Sequence, residues 1–150
     1  MKSKSFLFIA FVFLATMGGY FLSNPSYEKS LEAKYYYEMG DFNKSYQLAK
    51  KAYEIDHYNK MAFNVMTQST YSLDYLHFIA QAKKYIEQIT QMSDDGEIDQ
   101  TERAKVRTMS KIVLDSYKKL TPSVVVDEML IKEAKEYNEK FSKLLQKAHK

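Results

Sequence analysis

Few positions in this chain can stop a helix. It holds 4 Gly and 2 Pro in 150 residues, and Gly18 and Gly19 stand together inside an uncharged run near the start. From residue 23 onward only Pro25, Gly40, Gly96 and Pro122 remain as punctuation. Glycine adopts the left-handed turn most readily and proline cannot continue a helix, so a chain poor in both runs in long helices joined at few corners. Between those corners apolar residues recur at spacings of three and four, the period of an amphipathic helix. The fold class that follows is all-α.

The first 22 residues differ from the rest. Lys2 and Lys4 precede Phe6–Leu22 (FLFIAFVFLATMGGYFL), seventeen residues without a charge. As a helix this run covers about 25 Å, a little short of a hydrocarbon core of about 30 Å but within the tolerated range. It has no polar face, unlike a helix on a soluble domain. A signal peptide shares the basic start and apolar middle, but the best cleavage site offers only Thr16 and Gly18 around Met17, a poor match to the small-residue rule. Residues 1–22 are therefore expected to form an uncleaved signal anchor contacting a bacterial inner membrane through residues 6–22. The two lysines would stay inside, and everything after Ser23 would lie outside, in the periplasm. The alternative is a periplasmic protein released by cleavage.

The formal net charge of +3 is no nucleic-acid signature. Between Ser23 and Leu120 acids and bases balance, and they alternate as on a solvated helix surface instead of concentrating on one face. With Cys 0 there is no disulfide framework and no thiolate nucleophile. His57, His77 and His149 have no second histidine one turn away, and Glu54 and Asp74 are lone acids beside His57 and His77, short of the three or four ligands a metal site needs, so no metal site is expected. Asp94-Asp95-Gly96-Glu97 lacks the alternating acids of a calcium loop and reads as an acidic helix start. No glycine-rich phosphate loop or nucleophile elbow is present. The expectation is a protein that is not an enzyme, with no cofactor, no nucleic acid and no small-molecule substrate.

Along the remaining chain, Asn24-Pro25 reads as an N-cap followed by proline in the first turn, opening a helix that ends near Gly40. A second helix is expected over Phe42–Ile55 and a third over Lys60–Ser72. A fourth should follow Leu73-Asp74 and reach about Gln91. Ser93–Gly96 is the clearest break, separating residues 23–92 from a C-terminal helical hairpin, 93–150. The fifth helix is expected over Glu97–Leu120. The sixth follows Thr121-Pro122, although Val124, Val125 and Val126 are poor helix formers and favour a later start. Its Leu130, Tyr137, Phe141 and Leu144 form a heptad seam that self-association could use.

The stretch from Ala33 to Asn59, AKYYYEMGDFNKSYQLAKKAYEIDHYN, resembles a tetratricopeptide repeat. Ala33 stands at the small position of the first helix and Tyr36 at its aromatic position. Gly40-Asp41-Phe42 occupies the corner, Ser45 the helix crossing, Ala52 the second alanine, and Ile55-Asp56-His57 the close. Lys29 and Glu32 depart from the apolar pattern. A shift of 34 residues, the period of this repeat, sets Asp74 against Gly40, Leu76 against Phe42, Ile79 against Ser45 and Ile86 against Ala52. Apolar phase survives that shift, but the glycine and the small crossing residues do not.

The resemblance implies antiparallel helical hairpins over residues 23–92, an α-solenoid fragment closed by two longer C-terminal helices. It also implies an inner wall that holds a partner protein: Tyr27, Ser30, Lys34 and Tyr37 from the first unit, and Asn64, Gln68 and Tyr71 from the second. Small proteins of this layout resemble accessory parts of bacterial envelope machines, the flagellar motor among them. The expected function is thus a membrane-anchored periplasmic scaffold or adaptor that binds other envelope proteins through that groove. The alternative is a periplasmic chaperone or assembly factor that holds clients transiently.

Overall fold

Gly40 turns the chain with φ +79°, the only positive φ among the described residues. Helix α2 (Pro25–Glu38) ends there in a Schellman arrangement: Asp41 N donates to Tyr36 O at 2.9 Å and Gly40 N to Tyr37 O at 3.0 Å. Asn24 caps the other end of α2, accepting from Ser26 N at 2.9 Å. Asp41 then caps α3 (Phe42–Ile55), accepting from Lys44 N at 3.0 Å. Both helices begin and end where their capping residues require.

The computed structural model describes residues 2–94, 99–122 and 125–148, with side chains at all of these except 2–5, 20–22, 93 and 94. Besides α2 and α3 they form α1 (Lys2–Ser23), α4 (Lys60–Asp94), α5 (Gln100–Tyr117) and α6 (Glu128–Lys147), and no strand. The all-α expectation holds. The chain divides into two compact units, Met1–Thr70 and Tyr71–Lys150.

In the first unit the hydrogen bonds fix the register. Ser26 Oγ donates to Ala52 O and Ser45 Oγ to Ala33 O, each at 2.8 Å. Both pairs are symmetric about residue 39, as two antiparallel helices folded at that corner require. Ser45 Oγ also meets Ser69 Oγ at 2.8 Å, and the rings of Tyr53 and Phe63 lie 5.9 Å apart. These pairs are nearly symmetric about residues 57 and 58, so α4 runs back along α3. The contact residues are small, with Ala33, Ser45, Ala49, Ala52, Ala62 and Ser69 all fully buried. Small side chains at a crossing let two helix backbones approach closely.

The corner expected at Leu73-Asp74 does not form, and α4 continues for 35 residues. Its buried positions, Ala62, Val65, Ser69, Ser72, Tyr75, Ile79, Ala82 and Ile89, recur at helical spacing with no break in phase. The apolar phase that the 34-residue shift preserved is therefore the period of one uninterrupted helix. Asp74 supplies no left-handed turn in place of Gly40, so a second hairpin is absent and the boundary between units falls near residue 70 instead of 92.

The second unit is a bundle of the latter part of α4 with α5 and α6. Tyr75, Phe78, Ile79, Val106, Val113, Ala134 and Phe141 form its core, and Phe141 is fully buried. Helix α5 starts with a capping box: Glu102 N donates to Asp99 Oδ1 at 2.7 Å, and Asp99 N donates to Glu102 Oε2 at 3.0 Å. It is shorter than the expected Glu97–Leu120; Ser93 and Asp94 of the predicted turn continue α4, and residues 95 and 96 lie outside the described residues. Helix α6 starts after Asp127, beyond the valines, with Val126 buried in the core. Arg107 Nη1 donates to Ala148 O at 3.0 Å, satisfying a carbonyl at the end of α6.

Helix α1 exposes apolar side chains on every side: Phe6, Leu7, Phe8, Ile9, Phe11, Phe13 and Leu14. Among the described residues no helix is long and apolar enough to cross a membrane. The membrane span expected over residues 6–22 is therefore not supported by the structure.

Candidate interaction surface

Helix α2 is inverted relative to an ordinary amphipathic helix. Its inward face is Ser26, Ser30 and Ala33, all fully buried, while Leu31, Tyr35 and Met39 are 53%, 59% and 66% exposed. Spacing of four puts these three on one stripe. The serines can be buried because each hydroxyl has partners. Ser30 Oγ donates to Ser26 O at 2.8 Å, and Asn59 Nδ2 donates to both Ser26 Oγ and Ser30 Oγ, at 2.8 and 2.9 Å. Asn59 Oδ1 in turn accepts from Ala62 N at 3.1 Å, capping α4. One buried asparagine thus joins the start of α4 to α2, and no polar group in this seam is left unsatisfied.

That seam corrects the predicted wall. Ser30 is sealed inside and unavailable to a partner. Tyr37 is half-buried on the Ala33, Ala49 and Val65 cluster, its ring 5.2 Å from that of Phe42. Tyr27 and Gln68 are half-buried, whereas Lys34 and Asn64 are exposed. Tyr71 packs on the core of the second unit. Of the six in the first unit, Ser30 is closed to a partner and only Lys34 and Asn64 are exposed. The heptad seam is also used internally: Phe141 is a core residue and the partly buried Leu130, Tyr137 and Leu144 pack against the same cluster.

Comparison with protein-family models, with curated proteins and with solved structures finds no match.

A second exposed apolar group lies at the corner between α3 and α4, where Tyr58 is 92% exposed and Ile55 and Phe63 are about half exposed. Tyr58 N donates to Asp56 Oδ1 at 2.9 Å and Asn59 N to Asp56 O at 3.1 Å, so Asp56 holds the turn that presents Tyr58. The Tyr53 ring supports the corner, 4.9 Å from His57. Near the opposite corner, Lys44 Nζ donates to the Tyr36 hydroxyl at 2.6 Å and sits 3.8 Å from the ring centroid. That hydrogen bond raises the Lys44 pKa above its ordinary value.

In the second unit Tyr75, Tyr117, Leu120, Pro122, Val126 and Ile131 line an open cleft of about 700 Å³ with Lys118 and Glu128 beside them. Its lining suits an apolar group, and among the described residues it pairs no nucleophile with a base. Burial, with Tyr117 adding to it, raises the Tyr75 phenol above its usual pKa. Among the described residues no three acids or histidines gather as a metal site would require.

The exposed stripe was open to detection from sequence: Leu31, Tyr35 and Met39 are in phase with one another and out of phase with Ala33 and Tyr37. The repeat resemblance, which sets Ser30 on the partner-facing wall, points to a different face of α2.

Proposed function

We propose that the chain is a non-enzymatic protein-interaction module, a scaffold or adaptor of a bacterial envelope complex. In this reading its uncharged N-terminal run anchors it in the inner membrane and the remainder works in the periplasm. The observation that carries the interaction reading is the inversion of α2. A soluble helix gains stability by hiding its large apolar residues, and α2 hides serines while presenting Leu31, Tyr35 and Met39. Such a stripe fits the apolar side of another protein, with Tyr35 as a rigid anchor of polar tip and large area. The corner at Gly40 and the small residues between α2 and α3 also support a single tetratricopeptide-like hairpin, without the second unit that a two-repeat groove would need.

For the anchor, the supporting features are the seventeen uncharged residues after Lys2 and Lys4 and the apolar exposure around α1. Site-directed photocrosslinking in the native cell tests the interaction reading. A photoreactive residue at Tyr35 should give a discrete heavier adduct, and one at the exposed Lys111 of α5 should not. Absence of any adduct at Tyr35, Leu31 and Met39 in protein present at normal abundance would reject the stripe as a partner surface. Alkaline extraction of membranes tests the anchor, because an integral protein stays in the pellet.

A further inference from the structure

The hairpin has two ends, and only one can be near the anchor. Ser26 follows the last residue of α1 by three positions, so it lies within about 11 Å of Ser23 however the helices are angled. Asn59 bonds Ser26 directly at 2.8 Å, which brings its chain neighbour Tyr58 to that same end. The Gly40 corner is at the other end of α2, a 14-residue helix about 21 Å long. The exposed group at the near end is Tyr58, Ile55 and Phe63. Aromatic residues with a polar tip favour the level of lipid headgroups, where the ring is sheltered and the hydroxyl stays wet. Charge does not dominate this corner: Lys50, Lys51 and Lys60 stand against Glu54 and Asp56, a net of one positive charge.

We infer that the corner between α3 and α4 is a lipid-facing contact, with Tyr58 and Ile55 resting in the headgroup region of the outer leaflet of the membrane that α1 enters. This rests on the anchor reading above. The contact would set the hairpin end-on to the bilayer and keep the Gly40 corner away from it. Because the local charges sum to only one positive charge, neutral phosphatidylcholine should suffice as the surface.

The chain has no tryptophan, so single tryptophans report position without background. Tyr58→Trp, Tyr35→Trp and Met17→Trp, each in the full-length protein, would be reconstituted into phosphatidylcholine vesicles with and without brominated acyl chains. A parallel set would contain phosphatidylglycerol. Tyr58 is almost wholly exposed, so the substitution does not disturb packing. The expected result is strong quenching and blue-shifted emission at position 17, partial quenching with a smaller blue shift at 58, and a solvent-like spectrum at 35, with no requirement for the anionic lipid. Quenching at 17 with a solvent-like spectrum at 58 would overturn the lipid contact, leave the anchor standing and assign the corner to a protein partner. No quenching at 17 would overturn the anchor and this inference together. Equal quenching at 35 and 58 would overturn the end-on placement.

Discussion

The two units are built from the same kind of helix but are held by different forces. The first has a core mostly of alanines and serines, Ala33, Ala49, Ala52, Ser26, Ser30, Ser45 and Ser69, joined by Phe42 and Val65 and tied together by hydrogen bonds. The second has Phe78, Ile79, Val113 and Phe141 interlocked around one apolar centre. Small buried residues release little solvent-exposed apolar area, so the first unit depends on close backbone approach and satisfied polar pairs; the second gains by burying volume. The large apolar residues that the first unit does not need inside are free for its surface.

The largest effect should come from the apolar core. Phe141→Ala removes a fully buried ring and should cost the second unit about 3–5 kcal/mol, read as lost amide protection in α5 and α6 while α2 and α3 keep theirs. Loss spread equally through α2 and α3 would break the division into two differently held units.

The corresponding test of the polar seam is Asn59→Ala, which removes a helix cap and two buried hydrogen bonds. A cost of about 2–3 kcal/mol is expected from those contributions, with exchange rising first in α2 and the first turns of α4. A neutral result would mean that alanine packing alone holds the hairpin. Gly40→Ala sharpens the contrast further. An added Cβ at Gly40 meets nothing within 4 Å, so the penalty is purely that of a left-handed backbone, about 1–2 kcal/mol. Chemical denaturation should find that loss in the first unit.

The smallest effect is a pH dependence confined to the second unit. Burial raises the Tyr75 phenol above the ordinary 10.0, so the folded state keeps this proton at a pH where the unfolded chain releases it. The associated stability is fully present below about pH 10 and is lost as pH rises through the raised value. Spectrophotometric titration should find one late-ionising tyrosine, and Tyr75→Phe should remove it and flatten the alkaline fall in stability.

Much of this division was legible in the sequence where side chains act on their own backbone. Asn24-Pro25, Gly40-Asp41 and the span Phe42–Ile55 all fell where local chemistry placed them, since caps and left-handed turns need no distant partner. The continuity of α4 was not legible: an apolar phase that persists through Leu73-Asp74 fits two stacked helices as well as one long one, and only the absence of a turn-forming residue there distinguishes them. The facing of α2 was hidden for another reason. Serine is read as a surface residue, yet here Ser26 and Ser30 are buried by the amide of Asn59, 33 and 29 positions later in the chain, and no local pattern announces such a donor. The candidate surface moved accordingly, from Ser30 and Tyr37 to Leu31, Tyr35 and Met39.

The inverted α2 also has a consequence for supply inside the cell. On the proposed reading, a copy made in excess of its partner would display an exposed apolar stripe of the kind that quality-control proteases and holdases recognise, and surplus copies would be cleared. Abundance of the protein would then follow the abundance of whatever covers Leu31, Tyr35 and Met39, matching stoichiometry without a dedicated regulator.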